Sequence, residues 1–360
     1  MPSADARFWV GFQHVRRIGP VRLKRLIDRF GSISAAWQAS QSELRAVLDE
    51  SSVESIARVR ASLDLDREME RIERLGLEVL TLGDAAYPQL LREVPNPPAV
   101  LYLKGTICDS DIKAVGMVGT RRCTAYGRQV AFGMAEELAG AGVTVVSGLA
   151  LGIDGQAHRG ALAGGGRTIA VLGSGVDQIY PSSHRDLAAQ IVEKGAIISD
   201  YPPGTKPDAR NFPPRNRIIA GLSRGIVVVE APKRSGALIT VDFAADYGRD
   251  VFCVPGNALS ENSAGCHALI RDGGRLVTSA ADVLEDLGMA GPAPGQAVQQ
   301  SFPMSEQERH LFNYIRWEPQ HIDEIAVAAG LTPSQSGALL TLLELKGAVR
   351  DTGGQHYVRA

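Results

Sequence analysis

Between Ala114 and Val277 the chain carries a series of short apolar runs whose spacing limits the possible folds more than any other feature. The runs are Ala114 to Val118, Val143 to Val146, Thr168 to Leu172, Ala196 to Ile198, Ile226 to Val229, Val251 to Val254 and Leu276 to Val277. They are rich in Val and Ile, bounded by Gly or Ser, and separated by stretches of helical pattern. Continuous runs this short suit strands buried on both faces by crossover helices. The expected fold class is α/β, a Rossmann-like doubly wound and mostly parallel sheet. In such sheets ligands lie at the carboxyl ends of the strands, so the loops just after each run are where chemistry is sought.

Two further segments flank this core. Residues 1–80 are helical in pattern, with Leu23, Leu26, Ile27 and Phe30 at helical spacing between Ile18-Gly19-Pro20 and Gly31. This is a helix-hairpin-helix-like signature. Six basic residues between Arg16 and Arg29 stand against Asp28 alone. Arg22, Lys24 and Arg25 could help the helix start hold a phosphate, or the segment could be a packing module with a solvated basic face. Pro88, Pro95, Pro97 and Pro98 then read as an extended connector that opens a second domain, 81–290. Residues 291–304 read as a linker. The last segment, 305–360, opens with the capping box Ser305 to Glu308, continues through helices near Arg309 to Trp317 and His321 to Ala329, and has a third helix from Thr332-Pro333 to Lys346. A hairpin around Gly353-Gly354 completes a winged-helix pattern. Pro333 to Leu345 lacks Lys and Arg, so contact with protein or with its own chain is expected of this helix rather than contact with duplex.

The formal charge is −2, so attraction to nucleic acid must come from local basic clusters. Cys108, Cys123, Cys253 and Cys266 form no C-x-x-C pair, and no apolar run approaches the roughly 18 residues of a membrane span. A reduced cytoplasmic protein without structural metal and without membrane contact is expected.

The first strand should end in Val118-Gly119-Thr120-Arg121 and the second in Ser147-Gly148-Leu149-Ala150. Small residues there let backbone amides approach an anion, and Arg121 adds a bidentate fork; together the two turns read as a phosphate cradle. Neither loop carries G-x-G-x-x-G or G-x-x-x-x-G-K, so no cofactor is expected. The segment Gly204 to Arg217 should sit on the same rim with Lys206, Arg210, Arg215 and Arg217. Its prolines are expected to hold Phe212 in an extended stretch, where an aromatic among cations suits a nucleobase and its phosphates. The same residues are compatible with Phe212 in a core and arginines on carboxylates or strand ends. Ser235 and Gly236, with Thr240 one turn on, offer another turn at that rim. Asp154 and His158 share a helix face but lack a third ligand or nucleophile, and Cys266-His267 has no partners, so neither pair reads as metal or catalytic.

In order along the chain, Tyr87-Pro88, Val118 to Arg121, Ser147 to Ala150, Gly152-Ile153-Asp154 with His158, Thr168 to Gly173, Tyr180-Pro181, Phe212-Pro213, Arg215 to Leu222, Ser235-Gly236-Ala237 and Val254-Pro255-Gly256 resemble the DNA-processing protein A family (DprA, also called Smf). The flanking segments resemble the sterile-alpha-motif-like front and winged-helix tail of its longer members. The resemblance implies a non-catalytic role: binding single-stranded DNA, protecting it during natural transformation (competence), and loading RecA recombinase. It also implies a homodimer formed through the Rossmann-like domain. By resemblance the phosphate-contacting arginine is Arg121 and the stacking aromatic is Phe212. Ala209 and Ser182 stand where many members have Lys, and Asp200 and Thr120 replace Glu and Ser, which leaves the number of phosphate contacts open. The alternative is a phosphoribohydrolase of the Lonely Guy type, similar in fold, which needs P-G-G-x-G-T-x-x-E. At that turn this chain has Arg234-Ser235-Gly236-Ala237.

Overall fold

The computed structural model describes residues 5–15, 17–289 and 304–359. The chain divides into two compact units, Met1–Ala290 and Gly291–Ala360. Arg16 and most of the expected linker lie outside the described residues.

The first unit opens with α1 (Ala6–Gln13), α2 (Pro20–Phe30), α3 (Ile33–Gln38), α4 (Gln41–Arg45), α5 (Glu50–Ser62) and α6 (Leu65–Arg74). Pro20 at the start of α2 and left-handed Gly31 at its end match the sequence signals. Arg22 is bonded within the helical front. Its guanidinium is tied to Asp49 at 2.7 Å, Ser52 Oγ at 3.1 Å and the Arg17 carbonyl at 2.7 Å, whereas Lys24 and Arg25 are exposed.

A nine-stranded sheet follows among the described residues: β1 (Glu78–Thr81), β2 (Val100–Gly105), β3 (Ala114–Val118), β4 (Thr144–Ser147), β5 (Thr168–Val171), β6 (Ala196–Ser199), β7 (Gly225–Val228), β8 (Asp250–Cys253) and β9 (Arg275–Leu276). Its spatial order is β1-β2-β6-β5-β4-β3-β7-β8-β9. Strands β3 to β9 pair in parallel, and β1 and β2 add an antiparallel edge. The proline-rich passage is therefore more than a connector: it joins β1 to β2, and β1 straddles residue 80, where the sequence suggested a boundary.

Helices α7 (Gln89–Arg92), α8 (Ala125–Gly140), α9 (Ile153–Ala163), α10 (Arg185–Lys194), α11 (Phe212–Leu222), α12 (Leu238–Asp246), α13 (Ala264–Arg271) and α14 (Ala280–Asp286) cover the sheet. The alternation of side chains along a strand sets the two faces. Val115 and Met117 of β3 pack with α8, α9 and α14, while Ala114 and Val118 pack with α11 and α12. The chain leaves β3 in one direction for β4 to β6, then returns to lay β7 on the other side, so the crevice between the ends of β3 and β7 is the topological switch point.

The helical front shares its core with the sheet. Trp9, Phe12 and Leu26 join Val79, Tyr102, Val176 and Ile191 in one apolar cluster, and the Tyr102 hydroxyl donates to Gln13 Oε1 at 2.8 Å.

The second unit holds α15 (Glu306–Phe312), β10 (Gln320–His321), α16 (Ile322–Ala329), α17 (Pro333–Leu345), β11 (Val349–Gly353) and β12 (His356–Arg359). Ser305 and Thr332 form the expected capping boxes, and the three strands pair as β10-β12-β11, which gives a winged helix. Leu311, Ile325, Leu340 and Leu343 form its core. No single described helix is long and apolar enough to cross a membrane.

Phe12 is fully buried and meets Trp37 edge to face at 5.0 Å between ring centroids. Phe12→Ala should destabilise the first unit by about 3–5 kcal/mol in urea unfolding. A change below about 1 kcal/mol, well under that range, would mean the front contributes little to this core.

Candidate nucleic-acid interface

A cleft of about 620 Å³ opens at the switch point, between the loop after β3 and the loop after β7. Its lining includes Gly119, Arg121, Tyr180, Phe212, Asn216 and Gly236.

The loop after β3 is folded on Glu230. A Cβ at Gly119 would lie 2.5 Å from Ile153 Cγ1 and 2.8 Å from the Glu230 carbonyl, so only glycine fits. The Thr120 amide donates to the Glu230 carbonyl at 2.7 Å, and the buried Glu230 carboxylate accepts from the Thr124 amide at 2.9 Å and the Thr124 hydroxyl at 2.5 Å. The loop after β4 is folded in the same manner on Asp154, whose Oδ2 accepts from the amides of Gly148 at 3.1 Å and Ala150 at 3.3 Å. This corrects the expected amide cradle. The amides of Thr120 and Gly148 are occupied by internal carbonyl and carboxylate acceptors, because buried N–H groups left without partners would be costly. Charge for an anion at this rim comes instead from the exposed Arg121 guanidinium, whose Cζ lies 5.3 Å from the centre of the Phe212 ring.

Phe212 is the first residue of α11, not part of an extended segment. Pro213 and Pro214 fall in the first helical turn, where their missing N–H groups have no acceptor to lose. The ring is half-buried, 5.8 Å from that of Tyr180 and inclined to it by 32°. Tyr180 is 46% exposed. Tyr180 and Arg122 are not among the expected site residues; Arg122 lies four residues past the end of β3, whereas Tyr180, nine residues past β5, has no such positional signal.

Arg215 is 4% exposed. Its Nη1 donates to the Gly148 carbonyl at 2.8 Å and to the Val171 carbonyl, so it joins the ends of β4 and β5. Burial pushes its pKa down to about 10, and the nearby positive charge of Arg121 adds to that against the pull of Asp154. It remains charged at neutral pH and forms the floor of the cleft. Arg217 does not face the cleft: it pairs with Asp200 at 2.6 Å and with the Asn96 carbonyl at 2.6 Å. Arg210 is paired with Asp208 at 2.7 Å. Lys206 and Arg210 are exposed but are not among the described residues that line the cleft, although Pro207 and Ala209 beside them are. Ser235 and Gly236 do line it, and Asn216 Nδ2 donates to the Gly236 carbonyl at 3.3 Å.

The front reaches the segment that carries this wall. Arg71 Nη2 donates to the Pro203 carbonyl at 2.9 Å, and Gln13 Nε2 donates to the Asp200 carbonyl.

Asp154 and His158 serve the fold. Burial raises the Asp154 pKa, opposed by Arg215 and the two loop amides. The Thr168 hydroxyl already donates to the Val145 carbonyl at 2.7 Å, so His158 Nδ1, 2.7 Å from that hydroxyl, carries the proton and donates. Cys266 is buried and His267 Nε2 meets the Gly256 carbonyl at 3.1 Å. No group of three or more metal-ligating side chains occurs among the described residues.

Fold and cleft together define a class: a Rossmann-like α/β protein with an arginine-and-aromatic cleft at its switch point and a winged-helix unit in the same chain. The family model for DNA recombination-mediator protein A matches residues 78–288, and that for the DprA winged helix domain matches residues 292–355. The chain belongs to the DNA recombination-mediator protein A (DprA/Smf) family. It is 36% identical to Protein Smf of Synechocystis over the full length of both chains. It is similar to DNA processing protein A of Streptococcus pneumoniae, with a TM-score of 0.70, 33% identity, and coverage of 78% of this chain and 97% of that one. The Helicobacter pylori DNA processing protein A, solved for its single-stranded DNA binding mode, matches with a TM-score of 0.52 and 28% identity over 58% of this chain and 95% of its own.

Burial, reinforced by the neighbouring His184, Arg159 and Arg215, depresses the His158 pKa from its ordinary 6.5 to about 3. Between those values the unfolded chain binds a proton that the folded chain refuses. The contribution is therefore fully present above pH 6.5 and is lost by about 1.4 kcal/mol per pH unit as pH falls toward 3. His158→Gln should show a smaller drop in urea midpoint between about pH 7 and pH 5 than the parent chain, since those pH values bracket the ordinary histidine range. Equal drops would mean that His158 does not carry this pH dependence.

Proposed function

We propose that the cleft binds single-stranded DNA without catalysing a reaction on it, and that the chain protects such DNA and loads RecA recombinase on it during natural transformation or recombination. The observation that carries this reading is the grouping of the exposed Arg121 guanidinium, the Phe212 ring and the exposed Tyr180 ring at the switch point. A flexible polynucleotide offers phosphates to the first and unpaired bases to the other two. The winged-helix helix α17 has no Lys or Arg between Pro333 and Leu345, which favours a protein contact there over duplex. A homodimer through the Rossmann-like domain and a cytoplasmic location belong to the same proposal. Gly119, Thr120, Gly148 and Arg215 shape the binding rim in this reading, while Arg121, Phe212, Ser235 and Gly236 face the strand. Lys206 and Arg210 could reach its backbone from outside the cleft, and Arg217 acts through Asp200.

The enzyme alternative is disfavoured at one position. Counted from Pro232, the glutamate of P-G-G-x-G-T-x-x-E falls on Thr240, a buried hydroxyl in the cleft lining. Incubation with nucleoside monophosphates should release no ribose phosphate; release would favour the enzyme.

Arg121→Ala and Phe212→Ala should each weaken binding of a labelled single strand in fluorescence anisotropy, with thermal unfolding unchanged. Loss of the ring should cost about 1–3 kcal/mol, and loss of Arg121 should flatten the salt dependence by a slope of about 0.7. Wild-type affinity in both variants would remove the site assignment. A pull-down with RecA that recovers no complex on DNA would remove the loading step alone.

A further inference from the structure

We propose that the rim beyond the cleft carries a second nucleobase platform, the Tyr126 ring, so that a strand held at Arg121 and Phe212 continues across the start of α8 toward the end of β8. This rests on the single-strand reading above and extends its footprint to a residue that no sequence signal singled out.

Tyr126 lies in the first turn of α8 and is 47% exposed, yet it is not a loose side chain. Its hydroxyl donates to the Pro255 carbonyl at 2.7 Å, just past the end of β8. That bond holds the half-exposed ring on the rim, so stacking a base on it need not freeze a free rotor. The surroundings are positive: Arg121, Arg122 and Arg128 are exposed along the same stretch, and Lys233 and Arg234 are exposed on the loop after β7. The carboxylate that acts on Tyr126, Glu230, is 2% exposed and committed to the Thr124 amide and hydroxyl. An exposed aromatic on a stretch that also carries exposed arginines offers what an unpaired base and its phosphates require.

The platform is continuous with the cleft. Arg122 is part of the cleft lining, and its carbonyl accepts from Asn262 Nδ2 at 3.1 Å, which ties the loop after β3 to the segment beyond β8. Four residues lie between Arg121 and Tyr126, a span of at most about 18 Å even for fully extended chain. A strand anchored at Arg121 therefore meets Tyr126 within a few nucleotides.

The test uses the full chain, oligothymidylates of about six and about twenty nucleotides chosen to fall below and above a typical single-strand site, and anisotropy titration. Tyr126→Ala should bind the long strand about tenfold more weakly, as expected for the loss of one stacked base, and the short strand as the parent does. Tyr126→Phe should keep most of the long-strand affinity, because the ring remains. Unchanged long-strand binding by Tyr126→Ala overturns the platform. Equal weakening on both lengths overturns the extension, since the ring would then belong to the cleft itself. Altered sedimentation of Tyr126→Ala without DNA overturns it as well, by assigning the ring to a contact between copies of the chain. Arg121→Ala serves as the control: if it binds both lengths like the parent, it is the cleft reading that fails.

Discussion

One buried guanidinium organises the binding rim. Arg215, drawn inward from the first turns of α11, bonds the carbonyl ends of β4 and β5 and lies in the field of Asp154. A charge at this depth is tolerable only because its donors are spent on fixed acceptors. The consequences spread outward. A Cβ at Gly148 would sit 2.6 Å from Arg215 Nη2 and would force that guanidinium to shift. The start of α11 is pinned, so Phe212 is presented at a set height 5.9 Å from the same guanidinium. Asp154, held from the other side by two loop amides, completes the arrangement.

The second organising group is Glu230, which does for the loop after β3 what Asp154 does for the loop after β4. At the loop after β3 the Glu230 carbonyl takes the Thr120 amide while its carboxylate takes Thr124, and at the loop after β4 the Asp154 carboxylate takes the amides of Gly148 and Ala150. These bonds tie both loops to the fold, and on the proposed reading an anion there would be met by long, exposed side chains such as Arg121 more than by main-chain amides. Such side chains act through charge and are screened by salt far more than a sheltered nest of amides would be.

Much of this could be read in the sequence. The run Ala114 to Val118 is β3 residue for residue, and most of the other parallel strands differ from their apolar runs by a residue at one or both ends, because the pattern marks burial and not hydrogen bonding. β1 and β2 escaped notice because the prolines between them dominate the local signal, and an antiparallel edge needs no crossover helix to announce it. Phe212 departs from its expected extended conformation for a related reason: two prolines suggest extension, but at a helix start they are equally at home. Arg215 and Arg217 show the limit of charge counting. A dense basic stretch does not reveal which members face water, and here the sheet ends and Asp200 claimed two of them.

The hydrogen bonds from Arg71 and Gln13 to the carbonyls of Pro203 and Asp200 give the helical front a stake in the cleft wall. Thermodynamic reciprocity then applies: to whatever degree an occupant of the cleft steadies that wall, it tightens the seating of α1 and α6 by the same free energy, and a protein grasping those two helices feeds back on occupancy equally. The front and the wall are two handles on one equilibrium.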